Sequence, residues 1–169
     1  MKILAISGSL RARSSNTEVL RALSLVTEHE VIMYDRLGEL PHFNPDLDDE
    51  GATAPLAVEE LRRLVADADR VVICTPEYAH GVPGSLKNAL DWLVSSPAMV
   101  GKEVTIINAS SRSTFASASL AETLRTMSAT LVPDGPRLVP MDGRRMTASQ
   151  IASDRDIADA LRSAVADAT

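Results

Sequence analysis

The sequence predicts an α/β domain in which a five-stranded parallel sheet lies between two layers of helices. Short apolar segments rich in β-branched residues alternate with segments of helical periodicity, which is the pattern of βαβ units. One apolar segment, Val71–Cys74, shows no polar alternation, as expected for a strand buried on both faces of a parallel sheet. Apolar residues make up 45% of the chain, which suffices for a globular core.

Five segments rich in apolar residues are predicted as strands: Lys2–Ile6, Glu30–Tyr34, Arg70–Thr75, Glu103–Asn108 and Arg137–Met141. Apolar residues three or four positions apart predict five helices, which include the segments Val19–Val26, Leu61–Ala68, Leu86–Val94, Leu120–Met127 and Ile157–Val165. The irregular stretch Pro41–Pro55 is predicted to be a surface loop. The chain contains no linker or internal repeat, so residues 1–169 are expected to form a single domain.

Composition and spacing exclude several kinds of partner. The formal net charge of −6 argues against nucleic acid, which requires a basic face. No apolar segment reaches the length of a membrane span, and a single cysteine, Cys74, is consistent with a reducing compartment. We therefore expect a soluble, cytoplasmic protein without a membrane partner, in which Cys74 is an inert buried thiol. The three histidines lack metal-ligand spacing, and no metal site is predicted.

The strand order of such a sheet predicts where a ligand binds. Five alternating strands suit the compact flavodoxin-like order 2-1-3-4-5, a three-layer α/β/α sandwich. In this order the sheet changes direction between strands 1 and 3, and ligands bind at the carboxyl ends of those strands. The loops that follow Ile6 and Thr75 are therefore predicted to form the binding site.

The first of these loops has the composition of a phosphate-binding site. It precedes a helix, whose first N–H groups lack partners and carry partial positive charge. Gly8 would let the backbone turn closely beneath a ligand, while Arg11 and Asn16 would add donors to the serine hydroxyls. The loop matches neither a P-loop nor the G-x-G-x-x-G fingerprint, which favours a monophosphate ligand.

A structural alternative for the same loop is a capping box. Ser15 would be the N-cap of the helix, and Glu18 would reach back to it. This alternative explains Ser15 and Glu18, but it leaves Ser9, Arg11 and Asn16 without a role.

The second loop is stiff, with two prolines and two glycines between Pro76 and Gly84. Its segment Pro76–Tyr78 is suited to present a backbone edge to a flat ring. In the helix that follows, Trp92 falls outside the predicted core stripe, so we expect it to contact a partner chain. The alternative is that Trp92 covers the edge of its own core.

Three motifs resemble one known family: Gly8-Ser9-Leu10-Arg11-x-x-Ser14-x-Asn16, Pro76-Glu77-Tyr78 and Pro83-Gly84-x-Leu86-Lys87-Asn88-Ala89-x-Asp91-Trp92. Together with the segment Leu40–Asp46, they resemble the NADPH-dependent FMN reductases over roughly residues 2–108. That family includes quinone, chromate and azo-dye reductases on a flavodoxin-like fold. The chain departs from the family pattern at Ala79-His80, where Asn-Gly is frequent, and at Ala109–Ser113, where a Gly-Gly pair is common.

The resemblance implies FMN as cofactor and NADPH or NADH as cosubstrate. Ser9, Arg11, Ser14 and Asn16 would hold the phosphate, and Pro76, Glu77 and Tyr78 would line the isoalloxazine. The full set of candidate cofactor-binding residues is Ser9, Arg11, Ser14, Ser15, Asn16, Pro76, Glu77, Tyr78, Ala79, Ser110 and Ser111. No side chain is expected to be catalytic, because the flavin carries the chemistry.

The implied activity is hydride transfer from NAD(P)H through FMN to a small acceptor, such as a quinone, free flavin, azo compound or metal oxyanion. Two alternatives stay open: a flavodoxin-type electron carrier without NAD(P)H activity, and a degenerate member that does not bind FMN. Arg13 and Arg112 are candidates for an NADPH phosphate, from their positions beside the loops. Members of the family are commonly dimers or tetramers, so we expect a homodimer or homotetramer through the helix Ser85–Ser96.

Overall fold

The computed structural model describes residues 1–49, 51–141 and 143–166. Its strands are β1 (Lys2–Ser7), β2 (Glu30–Tyr34), β3 (Arg70–Cys74), β4 (Glu103–Asn108), β5 (Thr130–Leu131) and β6 (Arg137–Leu138). Its helices are α1 (Ser15–Val26), α2 (Leu56–Asp67), α3 (Gly84–Leu93), α4 (Thr114–Thr126), α5 (Ala148–Ser153) and α6 (Arg155–Val165). Within the described residues, no helix combines the length and the apolar character needed to cross a membrane.

The sheet has the order that the sequence predicts. β1 lies between β2 and β3, the path continues through β4 to β5, and every pairing is parallel. All five residues of β3 are buried, which confirms the burial of this strand on both faces. The flavodoxin-like order 2-1-3-4-5 is therefore confirmed, and it places a ligand at the adjacent carboxyl ends of β1 and β3.

The fifth position of the sheet differs from the prediction of one strand over Arg137–Met141. It consists of two strands of two residues, β5 and β6, which pair with opposite ends of β4. The chain between them contains Pro133 and Pro136, and Pro140 follows β6. Because proline has no N–H to donate, these residues interrupt the ladder and keep both strands short.

Helices cover both faces of the sheet, as predicted for a three-layer sandwich. Successive strand residues point to opposite faces, so Leu4 and Ile6 lie in one core and Ile3 and Ala5 in the other. The first core is completed by α2, α3 and α4, and the second by α1, α5 and α6.

The helix α5 was not predicted. It is short, and its N-cap Thr147 forms a capping box with Gln150, each side chain bonding to the other residue's backbone N–H. The spacing Thr147-x-x-Gln150 is the sequence pattern that indicates the start of this helix. The buried side chain of Ile151 attaches α5 to the core beside α1.

Trp92 is not a partner contact, and the prediction that it marks a docking surface is wrong. The indole is 0% exposed, and its Nε1–H donates to the Pro41 carbonyl across 2.8 Å. Its ring meets Phe43 edge-on, with centroids 5.0 Å apart. Asn88 fixes the same segment, because its side-chain carbonyl accepts the Phe43 N–H across 2.8 Å. The stretch predicted to be a surface loop thus covers this face of α3.

Candidate functional site

The loops after β1 and β3 meet at Gly8. The Gly8 N–H donates to the Cys74 carbonyl across 2.9 Å, which continues the pairing of β1 with β3. A Cβ atom on Gly8 would lie 2.2 Å from Thr75 Oγ1 and 2.7 Å from Thr75 Cβ, far inside van der Waals contact. Gly8 therefore permits a close approach to Thr75, which the sequence did not suggest.

A cavity of about 690 Å³ opens at this edge of the sheet. Most of the predicted cofactor-binding residues line it: Ser9, Arg11, Ser14, Ser15, Asn16, Pro76 and Tyr78. The sequence did not reveal a further part of the lining, which consists of Arg145, Met146 and Thr147. The pair Arg144-Arg145 just before the capping-box threonine is the signal that points to this part of the lining. The volume lies in the range of about 300–1,000 Å³ that is usual for small-molecule and cofactor sites.

A smaller cavity of about 240 Å³ adjoins the first and shares Ser15, Asn16 and Pro76 with it. Two further predicted residues, Glu77 and Ser110, line this second cavity. The remaining two, Ala79 and Ser111, line neither cavity.

The N-cap of α1 is Ser14, so the alternative of a capping box at Ser15 is wrong. Ser14 has extended backbone angles, and its Oγ accepts the N–H of Thr17. Glu18 does not reach back; its Oε2 accepts the N–H of Ala148 at the start of α5, across 2.7 Å. Since the helix begins one residue earlier than a Ser15 cap allows, Ser15 and Asn16 occupy its first turn, where backbone N–H groups have no acceptor within the helix.

Asn16 is oriented by the thiol of Cys74. The thiol donates to Asn16 Oδ1 across 3.2 Å, which leaves the amide nitrogen of Asn16 as the donor for a ligand. Cys74 is fully buried, and this burial raises the pKa of its thiol well above the usual range. The expectation of an inert structural thiol fits this environment.

Glu77 has a structural contact that the sequence did not suggest. Its Oε2 accepts the N–H of Ala116, the third residue of α4, across 2.9 Å. The N-cap of α4, Ser113, makes no side-chain capping bond, so Glu77 takes that role from the neighbouring loop. A carboxylate is favourable at a helix N-terminus, and this contact fixes the second loop against α4.

The segment after Tyr78 forms a tight two-residue turn. Tyr78 and Gly81 exchange two backbone hydrogen bonds, of 3.2 and 3.0 Å. Between them, Ala79 and His80 have φ of 49° and 60°, in the left-handed region that favours glycine and asparagine. The turn thus keeps the conformation of an Asn-Gly pair without either residue.

The charges of the 690 Å³ cavity are mostly positive. Arg11, Arg13 and Arg145 line it, and none of them forms an ion pair within the described part of the chain. Among the described residues that line it, Glu18 is the one carboxylate, and it is already paired with Arg21 across 2.7 Å. In a chain of net charge −6, this concentration of guanidinium groups suits a phosphorylated ligand.

A wider surface depression of about 790 Å³ lies at the opposite edge of the sheet, beside Asp69 and Glu103. Two of its cations already have partners, because Arg62 pairs with Asp48 and Arg63 pairs with Asp67. It also lies far from the switch between β1 and β3, and we do not assign it a role in ligand binding.

Comparison with known proteins decides the family. Residues 1–142 match the family model described as NADPH-dependent FMN reductase. The chain belongs to this family. A quinone reductase from Escherichia coli K12 is 38% identical over 110 residues, which are 63% of this chain and 58% of that protein. An NADPH:quinone oxidoreductase from Arabidopsis thaliana is 40% identical over 101 residues, 57% of this chain and 51% of that protein.

A solved structure confirms the fold of this FMN reductase family member. FerB, a flavoenzyme NAD(P)H:(acceptor) oxidoreductase from Paracoccus denitrificans, superposes with a TM-score of 0.68 and is 23% identical. The match covers 96% of each chain. The matched region with the curated relatives is shorter, since it spans little more than half of their length.

FMN is the cofactor that membership of this family implies, and the residues present fit it. FMN carries one phosphate and one planar ring. The cavity offers the first turn of α1, serine hydroxyls and guanidinium groups for the phosphate. The rigid segment from Pro76 to Tyr78 borders the same space and can face the ring.

Proposed function

We propose that this chain is an NAD(P)H-dependent FMN oxidoreductase that reduces a small acceptor, such as a quinone, free flavin, azo compound or metal oxyanion. The observation that carries the proposal is the 690 Å³ cavity, which joins the N-terminus of α1 to the stiff segment after β3. Bound FMN would supply the redox chemistry by accepting a hydride from NAD(P)H and passing it on. The curated relatives named as quinone reductases support a quinone among the acceptors.

The phosphate end of the proposed site is built by α1 and the loop before it. The first N–H groups of α1, from Ser15 and Asn16, supply backbone donors. Ser14 Oγ accepts the Thr17 N–H, so its own hydrogen stays available to donate. Ser9 and Arg11 lie in the same lining, and Arg11 would add a charge-assisted bond.

The ring end of the proposed site is built by Pro76, Glu77, Tyr78 and Ala79. Glu77 holds this segment in place through α4, while the half-exposed Tyr78 lies at the mouth of the cavity. Ser110 borders the adjoining cavity, and we propose that it and the exposed Ser111 approach the ring from the loop after β4.

The experiment that tests this function uses the purified chain and FMN. The protein is mixed with excess FMN, desalted, and examined by visible spectroscopy before and after anaerobic addition of NADPH or NADH, then of a quinone. We expect retained flavin absorbance that bleaches with NAD(P)H and returns with the quinone. Retained flavin that neither nucleotide bleaches would mean an electron carrier, and loss of all flavin on desalting would mean a member without FMN; either result overturns the proposal.

Arg11 provides a second readout with a matched control. Loss of one charge-assisted hydrogen bond costs about 1.5–3 kcal/mol, so Arg11→Ala should weaken FMN binding by about ten- to a hundredfold. Arg63→Ala removes the same charge from an exposed residue of α2 paired with Asp67, and it should leave FMN binding unchanged. Equal affinities for both variants would remove Arg11 from the site.

We also propose that the whole chain is one FMN-binding domain, which works as a cytoplasmic homodimer or homotetramer through α3 and the residues after it, Ser85–Ser96. Trp92 no longer supports this interface, but Val94 is largely exposed at its end. Light scattering of the purified protein gives its oligomeric state. The substitution Val94→Asp should shift that state towards the monomer. A wild-type monomer at working concentration would contradict the proposed assembly.

A further inference from the structure

The segment that precedes α5 forms one wall of the 690 Å³ cavity, and it is held on both sides of Arg145. On one side, Arg144 donates to Asp154 across 3.0 Å. On the other, Thr147 begins α5 through its capping box with Gln150. These contacts fix the backbone of the wall, whereas the guanidinium of Arg145 has no hydrogen-bond or ion-pair partner within the described residues.

The same wall is tied to the helix that begins the phosphate end of the site. Glu18 of α1 accepts the N–H of Ala148 across 2.7 Å and pairs with Arg21 across 2.7 Å. Its carboxylate is therefore neutralised by contacts of its own. Arg145 therefore lines the same cavity as Arg11, and neither Glu18 nor another anion within the described residues is paired with it.

We propose that Arg145 binds the phosphate of FMN together with Arg11, so that both guanidinium groups contact the dianion. This inference rests on the proposed function and adds a residue to it. Arg145 lies beyond residues 1–142, the part of the chain that the family model matches, so the contact belongs to the chain's own C-terminal segment. A guanidinium is suited to this task because its fork matches phosphate geometry and its charge persists at all working pH values.

A phosphate monoester has two sources in this reaction, FMN and the ribose 2′-phosphate of NADPH. The arrangement favours FMN, because the serine hydroxyls and the first turn of α1 line the same cavity as Arg145. The ribose 2′-phosphate of NADPH lies away from the nicotinamide. It would therefore lie at a distance from the flavin ring that the nicotinamide must approach. The two sources are separated by comparing FMN with riboflavin, and NADPH with NADH.

The test is a fluorescence titration of the apoprotein with FMN and with riboflavin, which lacks the phosphate. Arg145→Ala should raise the FMN dissociation constant by about ten- to a hundredfold and leave that of riboflavin unchanged. Arg145→Lys should recover part of the affinity, since it keeps the charge. Arg63→Ala, with the same loss of charge, should bind both ligands as the wild type does. Added salt should weaken FMN binding more for the wild type than for Arg145→Ala.

The outcomes separate this inference from the proposed function. If the wild type binds no FMN, the proposed function fails together with it. If the wild type binds FMN and Arg145→Ala binds it equally well, the inference alone fails. Equal weakening of FMN and riboflavin would mean that the substitution disturbs the wall, and a raised KM for NADPH but not NADH, at unchanged FMN affinity, would assign Arg145 to the nucleotide; both overturn the inference.

Discussion

The imidazole of His80 stacks on the phenyl ring of Phe115, with centroids 4.4 Å apart and planes inclined by 12°. This contact joins the turn after β3 to the first turn of α4, beside the bond from Ala116 to Glu77. Aromatic pairs of this kind contribute about 0.5–1.5 kcal/mol beyond burial. We expect a double-mutant cycle with His80→Ala and Phe115→Ala, measured by urea unfolding, to give a coupling energy in that range. Additive effects would show that the stack contributes nothing.

The left-handed turn predicts an unusual sign for a glycine substitution. Ala79 has φ of 49°, a conformation that costs an L-residue about 1–2 kcal/mol. Ala79→Gly relieves this cost and adds some unfolded-state entropy, so it should stabilise the chain by about 0.5–1 kcal/mol. Ala118→Gly is the matched control, at an exposed position within α4, and should destabilise by about 1 kcal/mol. The midpoints of urea unfolding give both values, and the same sign for both variants would contradict the prediction.

Gly8→Ala should destabilise the fold and separate the two loops. Its Cβ would require movement of Thr75, whose Oγ1 and Cβ lie at 2.2 and 2.7 Å from that position, and overpacking of this kind costs about 1–3 kcal/mol. Gly84→Ala, at the first residue of α3, is the control, because a Cβ there meets no atom of the described residues within 4 Å. We expect lower thermal stability and weaker FMN binding for Gly8→Ala alone. A Gly8→Ala protein as stable as Gly84→Ala would show that the loops are not in contact as described.

Ionisation of the Tyr34 hydroxyl should account for part of the stability that the chain loses at alkaline pH. The residue is 4% exposed, and its hydroxyl has no hydrogen-bond partner within the described residues. Burial raises the pKa of Tyr34 from 10.0 to about 12. The unfolded chain therefore ionises first, and stability falls as pH rises from 10 towards 12, by about 1 kcal/mol at pH 11.

Tyr34→Phe should remove this contribution. Its urea midpoint should equal or exceed that of the wild type at pH 7, because a buried hydroxyl without a partner is costly. The advantage of the variant should grow between pH 9 and pH 11. A difference in urea midpoint that stays constant from pH 9 to pH 11 would contradict the prediction. It would mean that the Tyr34 hydroxyl does not ionise more readily in the unfolded chain than in the folded one.

Cys74 should not react with thiol reagents while the chain is folded. It is buried, and the raised pKa of its thiol leaves almost no thiolate at pH 8. We expect a disulfide reagent to label one thiol in urea and none under native conditions. Ser24→Cys introduces an exposed thiol on α1 and should give one rapidly labelled thiol in the folded state. Fast native labelling of the wild type would place Cys74 at the surface.

The long apolar elements of the fold were predictable because their periodicity is strong. The strand β3 has no polar residue after Arg70, and β1 runs directly into Ser7-Gly8-Ser9, so both strands and the switch between them follow from the sequence. The fifth strand was harder to predict, because Pro133 and Pro136, which separate β5 from β6, precede the predicted segment Arg137–Met141. A short pairing such as Glu103 with Thr130 leaves too little pattern to detect.

The site was predictable where its residues are contiguous and not where they come from distant segments. Ser9, Arg11 and Asn16 surround one helix N-terminus, whereas Arg145 reaches the same cavity only through the packing of α5 on α1. The position of Trp92 could not be predicted for a similar reason. The helical wheel shows that it lies outside the core stripe, but only the tertiary contact with Phe43 shows what covers it.

The division of the last strand has a consequence for encounters between molecules. A neighbouring chain that approached this side of the sheet would meet two strands of two residues each, Thr130–Leu131 and Arg137–Leu138. The stretch between them contains prolines and cannot form a continuous series of backbone hydrogen bonds. Strand addition along that border would gain few hydrogen bonds before it was interrupted. Protection against uncontrolled polymerisation is thus a by-product of the same prolines that shorten β5 and β6.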